Sequence, residues 1–128
     1  MEGAEAFIGL GRLGLDRLGD AVSDLMGGFD QMRSIRVMEE VRECMTAMNG
    51  VYNQFDLVQV QAQSDLIERS LQHVAEFQGS MEKLFVSYAK GQEVNGDMIF
   101  AFSGSWMDFR QAQEELLDYL EDHPELQK

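Results

Sequence analysis

A glycine-rich segment near the start of the chain matches the pattern that binds dinucleotides. Residues 9–14 read Gly-Leu-Gly-Arg-Leu-Gly, which is the spacing G-x-G-x-x-G. That pattern holds a pyrophosphate only when it follows a strand and opens a helix, because the backbone and the helix N-terminus bind the phosphates. No strand pattern precedes or follows the segment. We therefore interpret these glycines as part of a flexible or closely packed helix, and we expect no cofactor.

The residue types that most often bind metals or act as nucleophiles are scarce in this chain. His73 and His123 are the only histidines, and neither has a cysteine or a second histidine at a metal-ligand spacing. Cys44 is the only cysteine, and its place beside an apolar stripe indicates a buried, unreactive thiol. The serines lack the context of a hydrolase nucleophile. The sequence thus predicts no enzymatic activity and no catalytic, cofactor-binding or metal-binding residues.

Acidic residues dominate the chain, above all in its last third. The net charge is −13, and residues 92–128 contain nine Asp or Glu but only two Lys or Arg. This excess argues against binding to nucleic acid or to an anionic membrane, since both require Lys and Arg. It suits a basic protein partner or mimicry of nucleic acid. Asp118 and Asp122, one helical turn apart on a shared face, are candidate partner-binding residues.

Large apolar residues recur every three or four positions along most of the chain, which places them on one face of a helix. One such series is Leu15, Leu18, Val22, Leu25, Phe29 and Met32. The hydrophobic content of 45% fits a folded protein. No segment alternates in the manner of a strand. The sequence predicts an all-α fold, a helical bundle or a long helical hairpin of about four helices.

We expect a single helical domain over residues 1–128, divided by turn signals into three segments. Residues 1–29 form a glycine-rich amphipathic helix that ends at a pair of glycines. Residues 30–91 form the helical core, and residues 92–128 contain an acidic, aromatic C-terminal helix. The linker between the last two segments contains Asn95-Gly96, a strong turn dipeptide.

The spacing also predicts where the later helices begin and end. A second helix is expected over 30–48, with Asp30 as its N-terminal cap. Asn49-Gly50 is the next turn signal, and continuation of the helix through it is the alternative. The longest helix is expected over 53–90, and Gly91 is its expected C-terminal cap. The alternative within this segment is a restart of the helix near Asp65 with Ser64 as its cap. The last helix is expected over 98–122, and it ends because a proline follows at Pro124.

Four aromatic residues, Phe100, Phe102, Trp106 and Phe109, cover more than one side of this last helix. Such a helix either lies in the centre of a bundle or presents aromatic anchors to another chain. We adopt the second interpretation and take Phe102, Trp106 and Phe109 as candidate partner-binding residues.

Three segments carry a resemblance to a known family. They are residues 15–22 (Leu-Asp-Arg-Leu-Gly-Asp-Ala-Val), 54–61 (Gln-Phe-Asp-Leu-Val-Gln-Val-Gln) and 78–85 (Gln-Gly-Ser-Met-Glu-Lys-Leu-Phe). With them, residues 13–92 resemble the inner-rod proteins of bacterial type III secretion systems. The resemblance implies a small helical protein that polymerises between the export apparatus and the needle.

These observations favour a non-enzymatic helical protein for protein–protein interaction or assembly, in its narrower form a bacterial secretion-system component or chaperone. The alternative is an acidic inhibitor or adaptor that mimics nucleic acid or docks on a basic partner. The expected partner is another protein or further copies of the chain, with no nucleic acid. Membrane insertion is not expected, because no apolar run approaches about 18 residues. The start of the chain lacks the pattern of a secretory signal, so we expect a protein that is cytoplasmic or exported without a cleavable signal.

Overall fold

Helices account for nearly all of residues 2–128, the part of the chain that the computed structural model describes. The five α-helices are α1 (Glu2–Gly27), α2 (Gln31–Tyr52), α3 (Leu57–Gln63), α4 (Leu66–Ala89) and α5 (Gly96–Asp122), and a short 3-10 helix follows at Pro124–Leu126. No strand occurs in these residues. The all-α prediction is confirmed, with five helices where about four were expected. Residue 1, where the expected first segment begins, lies outside the described residues.

The helices belong to two compact units. The first unit contains the chain up to Gln63 together with Leu117–Lys128, and the second contains Ser64–Leu116. Helix α5 therefore contributes its residues up to Leu116 to the second unit and its last residues to the first. The single domain expected over residues 1–128 stays a prediction.

In the first unit, α1 and α2 pack side by side in opposite directions. Gly14 of α1 lies against Cys44 of α2, and Gly11 lies against Met48. A Cβ atom at Gly14 would lie only 3.2 Å from the Cα atom of Cys44. Glycine at this position thus allows a close approach of the two helices. The segment 9–14 is helical throughout. Gly11 and Gly14 belong to this helix–helix contact, whereas a Cβ atom at Gly9 would meet nothing within 4 Å.

The start of α2 agrees with the prediction, and its end follows the alternative of continuation through Asn49-Gly50. The Asp30 side chain accepts a hydrogen bond of 2.8 Å from the backbone N–H of Arg33, as expected for an N-terminal cap. The helix then continues past the expected end at residue 48 and runs through Asn49-Gly50 to Tyr52. The ring of Phe7 packs against Gly50, which a local turn signal does not reveal.

The segment expected over 53–90 forms two helices, α3 and α4, and the restart near Asp65 that was the alternative occurs. Asp56 caps α3, since its Oδ1 atom accepts from the backbone N–H of Gln59 at 3.2 Å. Ser64 interrupts the helical hydrogen bonding, and its hydroxyl accepts from the N–H of Leu66 at 3.0 Å. These local side-chain acceptors compete with helical hydrogen bonds and end one helix before the next begins.

The end of the chain stabilises the break before α3. The N–H of Asp56 donates to the carbonyl of Leu126 at 2.8 Å, and the N–H of Lys128 donates to the carbonyl of Gln54 at 3.0 Å. Leu126 and Phe55 are both buried in the core of the first unit. A pairing between segments so distant in the chain cannot be read from local sequence.

In the second unit, α4 and α5 also run in opposite directions. The Ser70 hydroxyl of α4 donates to the carbonyl of Ala112 in α5, and the ring of Phe77 lies beside that of Phe109. Gly91, with φ of 70°, ends α4 in the left-handed conformation that suits glycine, so the predicted cap is confirmed. None of the helices in residues 2–128 is long and apolar enough to cross a bilayer.

Candidate functional site

The three aromatic residues expected on the surface form the core of the second unit. Phe102, Trp106 and Phe109 are 0%, 7% and 1% exposed, and all three surround Phe77 of α4. The ring centroid of Phe77 lies 5.6 Å from Phe102, 5.6 Å from Trp106 and 5.1 Å from Phe109. Their placement as exposed anchors was wrong, because the spacing of three and four positions puts all three on the stripe of α5 that faces α4.

The two acidic candidates lie on the surface of the first unit. Asp118 is 65% exposed and forms an ion pair of 2.9 Å with Arg12 of α1, while Glu121 lies 3.5 Å from the same guanidinium. Burial alone would lower the pKa of Arg12, but the hydrogen bond that Arg12 donates to Asp118 and the charge of Glu121 raise it. Asp122 is exposed. Binding of a partner by Asp118 and Asp122 stays a prediction.

Burial raises the pKa values of two side chains of the first unit, Cys44 and Tyr52. Cys44 is buried as expected, and burial together with the charge of Glu40 raises the pKa of its thiol to about 12. Burial, with a smaller effect of Cys44, raises the pKa of Tyr52 to about 12. A thiol that stays protonated is a poor nucleophile, which agrees with the interpretation of Cys44 as a buried, unreactive thiol.

A groove runs along the exposed seam between α4 and α5, and we call it the α4/α5 groove. Its first part, near the C-terminal end of α4, encloses about 570 Å³ and is lined by Gly79, Lys83, Val86, Lys90 and Met98 among others. Its second part encloses about 550 Å³ and contains Glu76, Gly79, Lys83, Phe100, Gly104 and Asp108. Gly79 and Lys83 line both parts, so the two form one continuous surface.

The apolar residues of this groove are unusually exposed. Phe100 is 80% exposed, and Val86 also presents a large part of its side chain to solvent. A Cβ atom at Gly79 or at Gly104 would meet nothing within 4 Å. Glycine in the middle of a helix costs about 0.5–1 kcal/mol relative to alanine, and no neighbour in this structure requires it at either position.

The basic residues of the groove are Lys83 and Lys90. Both are exposed, and neither forms an ion pair within residues 2–128. They lie seven positions apart on α4, which places their Cα atoms about 10.5 Å apart along one face of the helix. Glu82 lines the same part of the groove, so two lysines and one glutamate leave this end weakly cationic in a chain of net charge −13.

The opposite end of the groove brings together a histidine and two carboxylates. His73 and Glu76 lie one turn apart on α4, and Asp108 comes from α5. The Nδ1 atom of His73 lies 3.1 Å from Oε2 of Glu76. One ligand atom from each of the three residues lies within 4.8 Å of the other two. This set of a ring nitrogen and two carboxylate oxygens is able to hold a divalent metal ion.

Sequence reasoning did not identify His73, Asp108 or Phe100 as residues of a candidate site, for identifiable reasons. His73 has no ligand at a familiar spacing along the chain, because Asp108 reaches it only through the antiparallel register of α4 and α5. The sequence did indicate that Phe100 differs from the other aromatic residues. With a rotation of 100° per residue along a helix, Phe100 lies on the opposite side of α5 from Phe102, Trp106 and Phe109. The aromatic residue that breaks the stripe is the exposed one.

Comparisons with known proteins found no match to this chain. No protein-family model matches the chain, and no curated protein or solved structure matches it. The resemblance of residues 13–92 to inner-rod proteins stays a prediction.

Proposed function

We propose that the protein is a non-enzymatic helical adaptor that binds a helix of another protein in the α4/α5 groove. The observation that carries this proposal is Phe100, a phenylalanine 80% exposed beside two glycines with open space around them. An aromatic side chain next to a surface without side chains is suited to receive a partner's backbone at close range.

The apolar part of the groove supplies the attraction. Burial of a phenylalanine side chain stabilises a complex by about 1.5–3 kcal/mol, which is about a 10- to 100-fold change in affinity. Val86 and Met98 extend the apolar surface along the seam. From Glu76 to Lys90 the groove follows α4 for about 21 Å, so a partner helix of about 14 residues spans it.

The charges of the groove specify the partner helix. We expect Asp or Glu on the partner opposite Lys83 and Lys90, and Lys or Arg opposite Glu76 and Asp108. A second copy of this chain is a poor occupant, because two molecules of net charge −13 repel one another. The same charge favours a partner protein that is basic as a whole.

The identity of the partner separates the narrower hypotheses. A secretion-system component or chaperone would bind another secretion protein, whereas a nucleic-acid mimic would bind a basic nucleic-acid-binding protein. The mimic gains no support from the acidic end of α5, since Arg12 engages both Asp118 and Glu121 and so reduces the free negative charge there.

A designed peptide pair tests the proposal at 150 mM salt. The first is an amphipathic helix of about 18 residues with Glu opposite Lys83 and Lys90, and the second carries Lys at those positions. By fluorescence anisotropy we expect the wild-type protein to prefer the first peptide and the variant Lys83→Glu/Lys90→Glu to prefer the second. Lys128→Glu is the matched control and should keep the wild-type preference.

Apolar contacts are tested with the first peptide. Phe100→Ser should weaken binding about 10-fold or more, whereas Met32→Ser, which replaces an exposed residue of the first unit, should not. Gly104→Leu should weaken binding because the new side chain fills the groove, whereas Gly9→Leu should leave it unchanged. The proposal is refuted if wild-type protein binds neither peptide, or if Phe100→Ser and Gly104→Leu both bind like the wild type.

A further inference from the structure

We propose that His73, Glu76 and Asp108 form a binding site for one first-row divalent transition metal ion, with Zn²⁺ as the reference ion. The proposal does not depend on the partner helix, since it concerns the protein alone. All three residues belong to the second unit, and each is accessible from solvent.

The helices beneath the three side chains hold the site in place. Glu76 precedes Phe77, and Asp108 precedes Phe109, and these two buried rings stack with centroids 5.1 Å apart. His73 precedes Val74, which is also buried. The backbone that carries each ligand is therefore fixed by the aromatic core, and only side-chain torsions remain to be ordered when a metal binds.

The distances between the ligand atoms suit a metal ion. Zinc lies about 2.0–2.2 Å from nitrogen and oxygen ligands, so two ligands at an angle of 90–110° are about 3.0–3.5 Å apart. The observed separation of 3.1 Å between Nδ1 of His73 and Oε2 of Glu76 falls in this range. Asp108 supplies the third ligand atom, and the three ligand atoms all lie within 4.8 Å of one another. A small change in the side-chain torsion angles of Asp108 brings its carboxylate within reach of a metal ion held by His73 and Glu76.

The partner of Glu76 in the site is His73, which compensates the carboxylate charge only when the imidazole is protonated. No lysine or arginine forms an ion pair with Glu76 or Asp108 in the described part of the chain. The other oxygen of Glu76 accepts a hydrogen bond of 3.2 Å from the side-chain amide of Gln72, which orients the carboxylate. Hydrogen bonds of this kind position metal ligands and raise affinity.

The ligand types select the class of metal. Imidazole nitrogen favours Zn²⁺, Ni²⁺, Co²⁺ or Cu²⁺, whereas Mg²⁺ and Ca²⁺ prefer sites made only of oxygen. Three protein ligands leave further coordination positions to water. We therefore expect Zn²⁺ to bind with Mg²⁺ and Ca²⁺ present in excess.

The test is titration of the full chain with Zn²⁺ alone by isothermal calorimetry, with Co²⁺ absorption as an independent report of a nitrogen and oxygen ligand set. We expect one ion per chain. His73→Gln, Glu76→Gln and Asp108→Asn should each weaken binding at least 10-fold. The matched controls His123→Gln, Glu82→Gln and Asp97→Asn should bind like the wild type. Fluorescence of Trp106, the only tryptophan, verifies that each variant is folded.

Two results would overturn the site. One is wild-type protein that binds Zn²⁺ no more tightly than His73→Gln. The other is an equal loss of affinity in the control variants, which would mean that Zn²⁺ associates with the acidic surface as a whole. Because no peptide is present, either result leaves the proposed docking function standing.

Discussion

Two phenylalanines on α5 provide a matched test of how the second unit is built. Phe100 and Phe102 are two positions apart, yet Phe100 is 80% exposed and Phe102 is fully buried. Phe102 contacts Phe77 at 5.6 Å and Phe85 at 6.5 Å between ring centroids. Replacement of each by alanine makes the same chemical change on the same helix, so the gain in helix propensity is the same for both.

The structure gives very different magnitudes for the two changes. Phe102→Ala removes a buried ring and leaves a cavity, which destabilises a protein by about 3–5 kcal/mol. Phe100→Ala removes a ring of which only about a fifth is buried, worth about 0.3–0.6 kcal/mol at most on the scale for full burial. The better helix propensity of alanine offsets most of this loss. We expect the two variants to differ by about 3–4 kcal/mol.

Urea unfolding followed by the fluorescence of Trp106 measures the difference. Trp106 lies in the same aromatic cluster, so its signal reports directly on the second unit. With a urea m-value of about 1–3 kcal/mol/M, Phe102→Ala should lower the midpoint by more than 1 M, while Phe100→Ala should leave it nearly unchanged. Circular dichroism on the same samples shows whether the helices of the whole protein unfold in the same transition as the second unit.

Equal losses in the two variants would refute this account of the second unit. A large loss in Phe100→Ala alone would mean that α5 is rotated about its axis and that Phe100 faces α4. The α4/α5 groove would then lose its exposed aromatic residue, and the proposed docking function would fall with it.

Three further predictions concern the first unit. Gly9→Ala should stabilise the protein by about 0.5–1 kcal/mol, because nothing lies within 4 Å of the new Cβ atom, whereas Gly14→Ala should destabilise it in urea unfolding by contact with Cys44. The raised pKa values of Cys44 and Tyr52 favour the protonated forms in the folded state. Their contribution to the free energy of unfolding should therefore be fully present below about pH 8.5 and decrease as the pH rises toward 12. A Cys44→Ala variant should show a smaller decrease. Arg12→Gln should cost under about 1 kcal/mol, and the cost should shrink in 1 M NaCl, since the ion pair is exposed.

The sequence predicted the helical class and several helix ends because those depend on local physics. Apolar spacing, the Asp30 cap and the left-handed Gly91 all act within a few residues. It did not predict the break before α3, since that break is stabilised by pairing of Asp56 with Leu126 near the chain end. It left open whether α2 ends at Asn49-Gly50, because the packing of Phe7 on Gly50 involves a residue distant in sequence.

The candidate site was harder to predict because it depends on the register between α4 and α5. Spacing alone identifies which residues of α5 share a stripe, but not whether that stripe faces α4 or solvent. The prediction that Phe102, Trp106 and Phe109 face solvent is therefore wrong, since all three are buried against α4. The same register places Asp108 beside His73, and a single sequence contains no measure of it.

The glycines of this protein fall into two groups, those with close neighbours and those without. Gly11 and Gly14 lie where α1 and α2 meet, and a Cβ atom there would make tight contacts of 3.2–3.3 Å with α2 or α5. Gly79 and Gly104 have no such neighbour, so each lowers helix stability without an internal contact in return. Alanine at Gly104 should thus raise the free energy of unfolding and, if a partner's backbone approaches there, weaken binding in the same variant. A glycine with only a structural role cannot produce those two effects together.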